Sequence, residues 1–321
     1  MGGAGHRFVV EPADDGARLD RFLASRLPSM SRAYLQKLTR DGHVLVDDRA
    51  SRPAQSVRAD QVVTLIVPEP EPSRFEPEAI ALDVLYEDDD LAVFNKPAGM
   101  VVHPGAGARS GTLVHALLAR SLGWSTIGGA ERPGIVHRLD RGTSGVIVAA
   151  RRDAAHRALA AQFKERTVEK MYMALVWGEV QRARFTVDIA LGRDRVHRQK
   201  ISARTAKARD AITEFTIRER LPGATLLEAR PRTGRTHQIR AHLKSAGHPI
   251  VGDALYGGDR GGASRPPAIR EALRAFPRMA LHAWRLAFTH PVSGHRLSFE
   301  APLPPEFEGL VAAFRAGEVS P

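Results

Sequence analysis

The sequence predicts an α+β protein with a mixed sheet, preceded by a smaller α+β module. Strand-type and helix-type apolar segments are interspersed in the longer part without the regular alternation of a parallel βαβ fold. A run of alternating Pro and Glu near residue 70 separates a short N-terminal part from the remainder. The 321 residues are 43% hydrophobic and 26% charged, an ordinary globular mixture on a chain long enough to bury a substantial core.

In the short part, residues 1–67, Leu19, Phe22, Leu23 and Leu27 recur at helical spacing until Pro28 stops them. Ser29 or Ser31 can cap a second helix that runs through Leu38 and ends at Gly42. It offers Arg32, Lys37 and Arg40 beside an apolar face of Tyr34, Leu35 and Leu38. A strand at 43–46, a polar turn at Asp47 and Asp48, and a strand at 62–67 complete the module. Residues 68–79 read as a linker, because alternating Pro removes the donors that helix and sheet need. Over residues 80–321, strands are predicted at 90–95, 146–150, 170–176, 225–229, 280–288 and 296–300. Helices are predicted at 152–165, 237–246 and 304–314, the middle one stopped by Gly247.

Composition also excludes chemistry. There is no cysteine, so disulfides, thiolate metal sites and a cysteine nucleophile are ruled out. No apolar run approaches the roughly 20 residues of a membrane span, and the N-terminus lacks a signal-peptide apolar region, so a cytoplasmic protein is expected. The net charge is +11, which makes polyanions the first partners to consider. That charge is uneven: residues 1–67 carry +2, residues 68–95 carry −8 and residues 96–321 carry +17. Its densest part, 181–209, holds Arg182, Arg184, Arg193, Arg195, Arg198, Lys200, Arg204, Lys207 and Arg209.

One segment, GIVHRLDRGTSG at 134–145, places charged residues between two apolar strands and bounds them with glycines. A loop so held is a rigid mount for a functional side chain. Asp140 has no acidic neighbour in it, which gives paired-carboxylate glycosidase chemistry no local support. Arg138 and Arg141 flank it, an electropositive setting suited to a nucleophilic carboxylate. From the loop alone, Asp140 could equally pair with an arginine or cap a turn.

HRLDRGTSG at 137–145 resembles the signature of the pseudouridine synthase family that contains the ribosomal large-subunit enzymes. KMYMALVWG at 170–178 and PRTGRTHQIRAH at 231–242 resemble that family's next two motifs, in order. NKPAGMVVHPG at 95–105 and HPIVGD at 248–253 match as well, so the resemblance runs from about residue 17 to residue 312. Within the family, the set is closest to the D-type branch that acts on 23S rRNA. RLDRFLASRLPSMSRAYLQKLTRDGHVLVD at 18–47 resembles an RNA-binding domain of the ribosomal-protein S-four type.

The resemblance implies a catalytic domain with a largely antiparallel sheet and a specific set of roles. Asp140 would be the catalytic carboxylate, Tyr172 the ring that stacks on the target base, and Arg240 the partner of Asp140. Arg138 would occupy the space left by the flipped base, and Arg141, Arg235 and His237 would contact RNA. The reaction isomerises uridine to pseudouridine in a hairpin loop of large-subunit rRNA; Asp140 serves as nucleophile or as the base of a sugar-side elimination. No cofactor, nucleotide or metal is expected: GAG at 105–107 lacks the dinucleotide spacing, no phosphate-binding loop lysine follows a glycine loop, and His237 and His242 lack clustered co-ligands. A monomer acting on rRNA or a pre-ribosomal large subunit is expected. The rivals are a sister enzyme acting on tRNA or another rRNA site, and a non-catalytic RNA-binding ribosome-assembly protein. TAKARDA at 205–211 departs from the family's usual Gly-Lys-x-Ala run, and the arginine-rich 181–209 is a further departure.

Overall fold

A computed structural model describes residues 4–28, 30, 32–68, 75–105, 108–120, 123–129, 131–194, 200–203, 205, 208–257 and 265–317. Ser29 and Ser31, the middle of the linker at 69–74, part of the glycine segment at 105–107, Gly258, and Arg195, Arg198, Arg204 and Lys207 lie outside them. The chain divides into two compact units, Met1–Pro72 and Ser73–Pro321.

The first unit pairs β1 (Ala4–Val9), β2 (Val44–Val46), β3 (Arg49–Ala50) and β4 (Val62–Val67) in the order β1-β4-β2-β3. Helices α1 (Leu19–Arg26) and α2 (Arg32–Arg40) bring Leu19, Phe22, Leu23, Leu35 and Leu38 into a self-contained core with Val44, Val63 and Leu65. Strand β1 was not expected; its only apolar residues beyond Ala4 are Phe8 and Val9, too few to show an alternation. The basic face expected on α2 is partly spent inside the unit: Arg32 donates to the buried Asp20, and Lys37 to Asp41. Arg18 and Gln36 also converge on Asp20, whose carboxyl they hold far below the usual range against the opposing effect of burial.

The second unit is built on a nine-stranded sheet. Its strands are β5 (Asp83–Glu87), β6 (Leu91–Lys96), β7 (Ser144–Ala150), β8 (Glu169–Trp177), β9 (Arg184–Asp188), β12 (Ile212–Leu221), β13 (Ala224–Pro231), β14 (Leu281–Thr289) and β15 (Arg296–Glu300). A short hairpin, β10 (Gly192–Arg193) with β11 (Ile201–Ser202), stands apart from it. The order is β5-β6-β7-β14-β8-β13-β12-β9, with β15 also on β14. Only β7 and β14 run parallel; the other pairs are antiparallel, so the sheet is mixed and largely antiparallel as expected.

The helices are α3 (Leu113–Ala119), α4 (Asp153–Glu165), α5 (Gln238–Ser245), α6 (Pro267–Ala275) and α7 (Pro305–Ala316). Strands β6 and β7 are buried on both faces: Leu91, Val93, Val146 and Val148 pack with Leu159 of α4, while Phe94 and Ile147 pack with Leu113 and Leu117 of α3. Burial on both faces explains the continuous apolar run of β7 where a half-exposed strand would alternate. All nine expected elements of this unit are present, displaced by a residue or two at their ends.

Candidate active site

The loop at 134–145 leads into β7, and both ends demand glycine. Gly134 has φ +68°, and a Cβ there would stand 2.6 Å from the Ala150 carbonyl oxygen. Gly145 has φ +113°, and a Cβ there would stand 2.1 Å from the Ala283 carbonyl oxygen on β14. Between them, Leu139 is buried among Phe94, Leu113 and Trp124, and His137 stacks on Phe163 at 4.5 Å. The Val148 N–H donates to His137 Nε2 at 3.1 Å, which requires a neutral ring; burial lowers the imidazole to about 3, and Lys170 adds to that effect. The Thr143 N–H donates to the Asp140 carbonyl at 3.0 Å and closes the turn. Asp140 is thus partly exposed on a backbone fixed from both sides.

The residue that meets it comes from 100 positions away. Arg240, on the first turn of α5, donates from Nη1 to Asp140 Oδ2 at 2.9 Å. The other edge of its guanidinium is taken by Asp253, which accepts Nε at 2.7 Å on Oδ2 and Nη2 at 3.0 Å on Oδ1. Burial works against the arginine's charge, and the two carboxylates outweigh it. Tyr172, on β8, is partly buried between two core clusters. Burial first and the Asp140 charge second push its phenol well above the ordinary value, so it stays protonated. His237 precedes α5 at φ +51°, with Nε2 3.8 Å from Asp140 Oδ2 and Nδ1 3.2 Å from the Tyr256 hydroxyl. Burial lowers its pKa against the raising effect of Asp140.

The structure therefore gathers Asp140, Tyr172, Arg240 and His237. Arg138 is exposed on the loop. Arg141 donates its Nε–H to the Gly99 carbonyl at 3.2 Å, and Arg235 to the Asp210 carbonyl at 3.1 Å. His242 is spent on the fold, between the Thr213 hydroxyl and the Ile189 carbonyl. Among the described residues, Asp88, Asp90 and His290 cluster like metal ligands. Asp88 already accepts from Tyr86, His290 and the N–H groups of Asp90 and Leu91, which makes the group a turn lock.

Two polar residues of the motifs at 95–105 and 248–253 belong to this neighbourhood with no role expected from the sequence. Lys96, at the end of β6, is fully buried and donates to the carbonyls of Pro97 and Met100 at 2.8 and 2.9 Å. Burial lowers its ammonium to about 7 against the Asp140 charge, and Arg278 lowers it further. Asp253 is the second; the available signal was a lysine closing an apolar strand and an aspartate closing HPIVGD.

The sequence matches the RNA pseudouridylate synthase family over residues 90–245. It is 42% identical over 306 residues to a protein of Aquifex aeolicus described as an RNA pseudouridine synthase, covering 94% of this chain and 95% of that one. It is 42% identical over 299 residues to ribosomal large subunit pseudouridine synthase D of Zymomonas mobilis, covering 92% and 93% of the two chains. The solved structure of human RNA pseudouridylate synthase domain containing 1 superposes with a TM-score of 0.57 at 28% identity, over 75% of this chain and 91% of that one. By this similarity over nearly its whole length, the chain belongs to the RNA pseudouridine synthases, the isomerases that convert uridine in RNA to pseudouridine.

Proposed function

We propose that this enzyme acts on uridines of large-subunit rRNA, at a weakly paired site such as a hairpin loop. The observation that carries the mechanism is the 2.9 Å hydrogen bond from Arg240 to Asp140 Oδ2, which fixes the carboxylate while leaving it partly exposed. The target is supported by the similarity to ribosomal large subunit pseudouridine synthase D from Zymomonas mobilis and Neisseria meningitidis, and by the +17 carried by residues 96–321.

The uridine leaves its stack, at a cost lowest where pairing is weak, and its base meets Tyr172. Stacking there contributes about 1–3 kcal/mol. Asp140 acts either as nucleophile, bonding to C1′ as the N1–C1′ bond breaks, or as base, taking the C2′ proton as that bond breaks. The base turns and C5 bonds to C1′ while the Asp140–C1′ ester bond breaks or the proton returns to C2′; the proton on C5 is lost and N1 gains one, so Asp140 is regenerated and the product is an isomer of the substrate. A protonated Tyr172 serves stacking and proton donation and leaves proton abstraction to another group. Arg138, Arg141, Arg235 and His237 would hold the RNA around the pocket. Residues 1–67 form an RNA-binding domain of the S-four type that adds placement, since +2 supplies little bulk attraction.

Mapping pseudouridines in rRNA and tRNA from cells with and without the protein tests activity and target together. Sites in large-subunit rRNA should disappear without it and stay absent when Asp140→Asn is supplied, while RNA binding by that variant stays within a few fold. Lost sites confined to tRNA would overturn the rRNA assignment, and normal modification by Asp140→Asn would overturn the mechanism.

A further inference from the structure

HPIVGD ends on a residue that the reaction outlined above does not use. Asp253 has a side chain that is 1% exposed, and it cannot reach an RNA substrate past Arg240. Among the described residues its donors are Arg240 Nε at 2.7 Å on Oδ2, and Arg240 Nη2 at 3.0 Å, Leu255 N–H at 3.0 Å and Tyr256 N–H at 3.1 Å on Oδ1. The two backbone bonds fix the carboxylate to its own turn, and the two side-chain bonds fix the guanidinium to the carboxylate. The Tyr256 ring lies 5.0 Å from the guanidinium carbon and closes one side of it.

A guanidinium facing one carboxylate takes it bidentately, occupying both oxygens. Here Asp253 already holds the Nε/Nη2 edge, so Arg240 reaches Asp140 through Nη1 and Oδ2 alone. Among the described residues nothing donates to Oδ1 of Asp140, which leaves that oxygen for the sugar. We propose that Asp253 is a positioning residue of the isomerisation: it orients Arg240 so that Asp140 is held by one oxygen and reacts through the other. The inference rests on the function proposed above.

Asp253→Asn is the discriminating variant. Its side-chain oxygen can keep the three donors on Oδ1, and with them the turn, while its NH2 faces Arg240 Nε–H and breaks that bond alone. The full-length wild type, Asp253→Asn, Arg240→Met and the double variant are compared on a large-subunit rRNA transcript. Asp253→Asn should lower kcat by about 10- to 100-fold with an unchanged melting temperature, and KM should stay within about two-fold. The double variant should be no slower than Arg240→Met, because Asp253 acts through Arg240. In 15N NMR spectra, the Arg240 Nε–H signal should exchange slowly with solvent in the wild type and quickly in Asp253→Asn.

A kcat within about two-fold of wild type, a loss confined to KM, or losses that multiply in the double variant would each overturn the inference. If Asp253→Asn unfolds, an unprotected Arg240 Nε–H in the wild type overturns it, and a protected one with the expected double-variant behaviour of Asp253→Ser supports it. A wild type that makes no pseudouridine overturns the functional reading and this inference with it. An active wild type whose Asp253→Asn variant keeps its kcat overturns this inference alone.

Discussion

His137 stands three residues before Asp140 and spends its chemistry on the backbone of β7. Its folded pKa of about 3 lies below the ordinary 6.5, so between those values the unfolded chain binds a proton that the folded chain refuses. Its contribution is therefore complete above pH 6.5 and is lost as pH falls toward 3. His137→Gln keeps an acceptor for the Val148 N–H but does not titrate; the wild type should lose melting temperature relative to it as pH drops from 7 to about 4. A constant difference between the two melting curves would contradict the neutral-histidine account. Lys96 is depressed in the same sense, from 10.5 to about 7, so its cost to folding is relieved as pH rises through that interval. Asp140, Tyr172 and Arg240 were legible because each sits in a motif of fixed order. Lys96 and Asp253 lay in motifs too, but their meaning depends on partners brought together by folding: Asp253 meets Arg240, and Arg240 meets Asp140 across 100 residues.

At the scale of elements, strongly apolar strands such as β7 and β8 were legible, as was the alternating β15, while a more densely charged one was not. Strand β12 was missed because Glu214, Arg218, Glu219 and Arg220 interrupt its apolar positions, although Thr213, Phe215 and Leu221 are buried. Helix α6 was missed because the prolines before it read as loop, while they stand at its first turn where Pro is tolerated. The β7–β14 contact at Gly145 gives the next prediction. Gly145→Ala forces an unfavourable φ, costing about 1–3 kcal/mol, and adds a collision with the Ala283 carbonyl. Denaturant unfolding should show at least that loss, and a variant as stable as wild type would contradict the packing described. A second element-scale test concerns the β10–β11 hairpin, which is docked by Tyr256: its hydroxyl accepts from the Ile201 N–H at 2.8 Å and donates to the Ile201 carbonyl at 3.2 Å. Tyr256→Phe removes both bonds, together with the 3.2 Å contact to His237 Nδ1, and keeps the ring beside Arg240. It should weaken RNA binding several-fold at low salt, measured by fluorescence anisotropy, with a smaller effect on the rate of bound substrate; the reverse pattern would assign Tyr256 to chemistry instead.

Across the whole molecule, the excess positive charge lies in the unit that carries Asp140, and the N-terminal unit has a core of its own. Removing residues 1–72 should leave turnover on a short RNA largely intact and reduce the preference for structured rRNA over unrelated RNA; competition assays measure both. A truncated chain with full preference would give the N-terminal unit another role. The large sheet has a further consequence, set by the order in which its strands leave the ribosome. Asp140 enters on β7 and Tyr172 on β8, yet these strands are not neighbours: β14, at Leu281–Thr289, lies between them. A nascent chain has emitted Asp140, Tyr172, Arg240 and Asp253 before the strand that joins the two halves of the sheet exists. The two halves can join only once β14 has emerged, so a chain that stops before Leu281 carries these side chains without the strand that aligns them.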